Sequence, residues 1–155
     1  MVVFQMLLFA VFASVTVRDM RTRLIHIGDL LLLCAIRIAL FAVSLTPLLG
    51  INTEQWGANA LFESLLLAVA LAGAFYLLSA LISKITKSPA LGKGDILLLA
   101  TCCLFLSPQS IDAYLFLVSI FGIVLSLIWL IAKKDKTFPF APALVWPCWL
   151  VMLMT

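Results

Sequence analysis

Charge is what this sequence has least of. Only 11% of its 155 residues are Asp, Glu, Lys or Arg, against about 25% in an average soluble domain. So few charges cannot cover a water-facing surface. With 65% hydrophobic residues and a mean hydropathy of +1.25, the chain's solvent is mostly lipid. Histidine is nearly absent: His26 is the only one. A metal site needs several convergent ligands, so no metal is expected. The four cysteines, Cys34, Cys102, Cys103 and Cys148, form no C-x-x-C pair and sit in apolar stretches. They read as inert buried thiols. The net charge of +3 comes without a long basic run, which argues against nucleic acid as a partner. There is no alternating pattern of ten-residue strands, so a membrane barrel is excluded. No basic leader precedes the first apolar run, residues 2–17, which therefore reads as a membrane span and not as a cleaved signal.

What is present is a series of apolar runs. A spanning helix needs about 20 mainly apolar residues, and six candidates are found. They cover about residues 2–17, 25–49, 58–82, 95–107, 111–132 and 140–154. Arg18, Arg21 and Arg23 lie between the first and second. Lys84, Lys87 and Lys93 lie between the third and fourth, and Lys133, Lys134 and Lys136 between the fifth and sixth. The other two loops carry no Lys or Arg. By the positive-inside rule the basic loops are cytoplasmic and both termini extracytoplasmic. Backbone amides cannot stay unpaired in hydrocarbon, so the runs must be helical. The expected fold is an all-α integral membrane protein: one six-helix transmembrane bundle, residues 1–155.

Against that background two aspartates stand out. Asp19 follows the first span, and Asp95 opens the fourth within "ALGKGDILLLA". In this topology both lie at the cytoplasmic face. From Asp95 to Ser107 a helix reaches only ~20 Å at 1.5 Å per residue, less than the hydrocarbon thickness of about 30 Å. Asp95 is therefore expected below the membrane surface, with the Gly92–Lys93–Gly94 segment as irregular backbone lining a protein cavity. Gly92 and Gly94 allow positive φ or a close backbone approach. The plainer reading of Asp95 is a helix N-cap, but that leaves the second aspartate and the short helix without a reason. Two facing carboxyl groups cannot both ionise easily, and they share one proton. The ionised partner can take a proton from an attacking water, and the protonated partner can donate to a peptide carbonyl oxygen. This chemistry needs no cofactor.

These residues resemble the type IV prepilin peptidase family, the GxGD-type membrane aspartyl peptidases of bacteria. "GKGDILLLA" is similar to the family's G-x-G-D before an apolar helix. "VRDMRTRLIHI" resembles its first motif, an aspartate followed by a basic stretch and an I-P-N-like triplet. "FPFAPAL", with Pro142, resembles its proline-containing entry to the last helix. The resemblance implies a bacterial inner-membrane, multi-pass aspartic endopeptidase with Asp19 and Asp95 as the catalytic pair and Gly92 and Gly94 shaping the second motif. Its partners would be membrane lipids and a prepilin or pseudopilin, cleaved between a basic leader and an apolar helix at the cytoplasmic face. The triplet departs from the family as Ile25-His26-Ile27, and Leu97 stands where a lysine is common. Larger members also N-methylate their product through a segment with paired C-x-x-C motifs. Without such a segment here, peptidase activity alone is expected.

The remaining polar residues have structural readings beside functional ones. Arg37, in the middle of the second run, is expected to pair with Glu63, with contact to a substrate glutamate as the alternative. Asp29 either lines the catalytic cavity or bonds Arg37 or loop amides, the structural role being favoured. Arg21, Arg23 and Lys93 are solvated, lipid-facing or supporting charges, and Arg21 and Arg23 could position Asp19. His26 reads as a solvated interfacial residue. Trp56, Trp146 and Trp149 read as interfacial anchors. Two other functions stay open on the sequence: a small transporter using Asp29, Arg37 and Glu63 as a relay, and an inactive homologue that only holds pilin subunits.

Overall fold

In the computed structural model of the chain, residues 2–45, 57–87, 91–132 and 139–154 are described. Six α-helices are found among them: α1 (Val2–Thr22), α2 (Ile27–Ser44), α3 (Ala58–Thr86), α4 (Lys93–Cys103), α5 (Ile111–Ile131) and α6 (Ala141–Met154). A 3₁₀ turn, Pro108–Ser110, leads into α5. No strand occurs among the described residues. Trp56, the basic residues 133–136 and the stretch 46–49 that the sequence reading gave to the second span lie outside them.

The helix count matches the sequence, but the lengths differ. The helices α1, α2, α3 and α5 are long and apolar enough to cross a membrane. At 1.5 Å per residue, the 11 residues of α4 reach only about 16 Å and the 14 residues of α6 about 21 Å. Six spans therefore become four helices of crossing length and two shorter ones. The cause in α4 is local. Its end tightens into i→i+3 bonds, with Leu104 N–H donating to Thr101, Phe105 to Cys102 and Leu106 to Cys103. Such bonds close a helix without prolonging it. Pro108 then starts the 3₁₀ turn, where its missing N–H costs nothing.

The short helices form the centre. The helix α6 packs against α1, α4 and α5, while α2 packs against α1 and α4. Eight residues of α6 are buried, including Ala141, Leu144 and Val151. Around them lie Phe12, Leu33, Leu98 and Leu99, all essentially inaccessible. Lipid tails are as apolar as leucine, so packing density and not water exclusion holds such helices together. The small residues Ala141, Ala143 and Cys148 suit that role. By contrast α3 buries only Ser64 and Ala68, and α5 only Tyr114 and Val118. Leu71 and Phe75 of α3 and Ile111, Leu115 and Leu117 of α5 pack partly buried against the core, and many of the other apolar side chains are exposed, as a lipid-contacting rim requires.

Trp146 and Trp149 are half-buried. Both pack on Phe9 of α1, with ring centroids 5.4 and 5.3 Å apart. This geometry joins α6 to α1, and edge-to-face and tilted pairs are favoured by the ring quadrupoles.

Candidate active site

The site gathers at one end of the bundle, where α1 ends and α4 and α6 begin. Asp19 lies in the last turn of α1. After it the chain leaves the helix at Arg23, whose φ of 55° is left-handed and whose N–H donates to the Asp19 carbonyl at 2.9 Å. Only residues 23–26 separate α1 from α2, so the two helices are antiparallel neighbours.

The Asp19 side chain is buried, 5% exposed. Its Oδ2 accepts the backbone N–H of Ala141 at 2.9 Å. Ala141 is the first residue of α6, and the first four N–H groups of a helix lack intrahelical partners. A carboxylate there is favoured by the helix dipole as well. The α6 N-terminus thus holds one oxygen of Asp19 across 122 positions of sequence. Pro142 follows directly and suits a first helical turn, where its lack of an N–H is harmless. Arg23 adds an attractive charge beside Asp19.

Asp95 is not an N-cap. Gly92 holds that position, with φ −68° and ψ 141°, and Asp95 stands three residues later in the first turn of α4. Its carboxylate accepts a hydrogen bond from the Gly92 backbone. This is the back-reaching half of a capping box, and the serine or threonine of the usual cap is absent. The half-buried Asp95 carboxylate also lies within electrostatic reach of Asp19.

Both glycines are explained by space, not by positive φ. A Cβ on Gly92 would meet Asp95 Oδ2 at 2.8 Å, so the carboxylate lies where a side chain would be. A Cβ on Gly94 would meet the Ile25 Cβ at 3.2 Å. Gly94 therefore lets the start of α4 close on the α1–α2 turn. Ile25 belongs to the triplet that departs from the I-P-N pattern. His26, its neighbour, is exposed and occupies the N-cap of α2 without a side-chain cap bond.

The other expected site residues are not gathered with this pair. Asp29 pairs with Arg18, not Arg37: Arg18 Nη1 to Asp29 Oδ1 is 2.8 Å. This bridge ties the C-terminal part of α1 to the first turn of α2. Arg37 is buried, and its Nε donates to the Leu104 carbonyl at 2.7 Å. Leu104 ends α4 at the opposite end from Asp95, where a cation also suits the negative pole of the helix. Glu63 is exposed on α3, so the expected Arg37–Glu63 pair is replaced by this capping contact. Arg21 is exposed. Lys93 is also exposed and lines a separate cavity between α3 and α4. Sequence reasoning missed Ala141, Arg18 and Ile25. Only Ala141 carried a signal: a helix start after Pro139 offers unpaired N–H groups to any acceptor nearby.

A multi-pass, all-helical membrane protein with a buried aspartate at the end of one helix and another at the start of a short central helix is the class these features define. The sequence model of the type IV leader peptidase family matches residues 6–127, most of the chain and both aspartates. The chain belongs to that family, whose members are proteases acting on protein leaders. No curated protein and no solved structure matches it.

Proposed function

We propose that the protein is an aspartic endopeptidase that removes the leader of prepilin-like proteins, with Asp19 and Asp95 as its catalytic pair. The observation that carries this reading is the packing of the α4 start, at Gly94, against Ile25 in the turn that follows Asp19, which puts the two carboxylates within electrostatic reach inside the family-matched segment. Like charges at short range favour a state in which one proton is shared. Asp19, with one oxygen held by the Ala141 N–H, keeps a fixed orientation and an acceptor oxygen. Asp95, held over Gly92, lies on another helix within electrostatic reach.

A water between the two carboxyl groups loses a proton to the ionised partner as it attacks the scissile carbonyl carbon. The protonated partner donates to the carbonyl oxygen. The resulting tetrahedral diol collapses when the first carboxyl group gives its proton to the leaving amine and the second, now ionised, takes one back from a diol hydroxyl. The proton count closes, and water is the only co-reactant. The substrate's basic leader and apolar helix place its scissile bond at the cytoplasmic face of the bacterial plasma membrane. Positive-inside asymmetry supports placing this end of the bundle at that face. Gly92 and Gly94 shape the site, and Arg23 supports Asp19.

The relay reading has less support. Asp29, Arg37 and Glu63 have separate surroundings: an Arg18 bridge, the Leu104 carbonyl and an exposed face of α3. Coexpression with a candidate prepilin tests the proposal. Asp19→Asn and Asp95→Asn should each reduce processing by about 10²–10⁴-fold, the usual contribution of a positioned acid or base, while the protein still inserts. Normal processing by either variant would remove the mechanism.

A further inference from the structure

Between α3 and the start of α4 lies an open cavity of about 430 Å³. That lies within the range of about 300–1,000 Å³ usual for ligand sites. Its α3 wall is polar within an otherwise apolar helix. Tyr76, Ser79 and Ser83 recur three and four residues apart, so they share one helix face. Lys87 lines the cavity from the end of α3 and Lys93 from the start of α4. The left-handed backbone at Lys87, φ 55°, terminates α3 there.

Among the described residues, neither lysine is ion-paired. Two ammonium groups on one cavity repel each other, and an anion between them removes that repulsion. Serine and tyrosine hydroxyls can turn to donate to the same anion. Ser83 now donates to the Ala80 carbonyl at 2.9 Å, a local bond that a better acceptor can replace.

We infer that this cavity binds a phosphate group, held by Lys87 and Lys93 with hydroxyl donors from Tyr76, Ser79 and Ser83. The group can come from an anionic phospholipid or from free phosphate. Leu91 and Ile96 also line the cavity and offer an apolar edge to the acyl chains of a lipid. Basic pockets between membrane helices hold lipid headgroups by this combination. The inference does not depend on the peptidase chemistry, and its test reads lipid retention instead of cleavage.

The full chain, purified in detergent, is incubated with phosphatidylglycerol or phosphatidylcholine and analysed by native mass spectrometry. The expected result is retention of phosphatidylglycerol over phosphatidylcholine. Retention should fall about tenfold or more in the Lys87→Gln/Lys93→Gln double variant, which loses two attractive charges. Ser79→Leu, which keeps both lysines and fills the cavity, should lose retention too. Arg21→Gln/Lys84→Gln, with the same charge loss elsewhere, should keep it. Adding inorganic phosphate separates the sources. Displacement of the lipid identifies the phosphate group as sufficient, and resistance identifies headgroup and chains acting together. Equal retention by the wild type and the Lys87→Gln/Lys93→Gln variant would overturn the site. So would unchanged retention by Ser79→Leu, or an equal loss in the charge-matched control.

Discussion

Asp95 and Gly92 share one volume, and that fact governs chemistry at the residue scale. A methyl group at Gly92 would fall 2.8 Å from Asp95 Oδ2. The carboxylate is the free end of a side chain, so it can swing aside at little cost to the fold. Gly92→Ala is therefore expected to leave thermal stability nearly unchanged while processing falls sharply. Parallel melting and cleavage assays would check this, and equal losses in both would show that Gly92 serves only the fold. Both carboxylates were legible in the sequence because hydrocarbon-bound segments rarely carry them. The role of Gly92 was only half legible. A glycine announces freedom of backbone or of space, and only neighbouring atoms decide between them. Arg37 shows the same limit. A buried cation demands a partner, but its partner is a main-chain carbonyl, and every residue has one.

At the scale of elements, the starts of the short central helices position the candidate site. Their shortness was partly legible, since Pro108 had to interrupt the fourth run. The earlier end at Cys103 was not, because the i→i+3 closure uses main-chain groups of ordinary apolar residues. The start of α6 was visible as a proline-rich entry, whereas its bond to Asp19 was not. Docking of α4 onto the α1–α2 turn depends on Gly94. The Ile25 side chain can yield a few tenths of an ångström to Gly94→Ala, but not to the two further methyls of Gly94→Val. The expected order of stability is wild type, then Gly94→Ala, then Gly94→Val. Overpacking of the Gly94→Val kind typically costs about 1–3 kcal/mol. Melting temperatures in detergent would give the order, and a Gly94→Val protein as stable as wild type would mean that α4 does not dock through Ile25.

For the whole molecule, the alternation of basic and uncharged loops makes a prediction about orientation. A cysteine placed at Gln109, beside the 3₁₀ turn, should react with a membrane-impermeant maleimide in intact cells. A cysteine placed at Lys87 should react only after permeabilisation. Buried Cys102, Cys103 and Cys148 should stay unlabelled until the protein unfolds. The opposite labelling pattern would invert the topology and put the paired aspartates on the outer face.

Composition by itself determined a helical protein of the membrane. Apolar segments in hydrocarbon satisfy their amides as helices or as closed barrels, and the alternation a barrel needs is missing. Residue identity also marked which carboxyl groups were out of place there. Only the tertiary structure decided which groups meet: Asp19 with the first N–H of α6, Asp29 with Arg18, and Arg37 with the end of α4. Two of those contacts join positions far apart in the chain through main-chain groups, which carry no side-chain signature to read, and in the third only the packing chose Arg18 over Arg37 as the partner of Asp29.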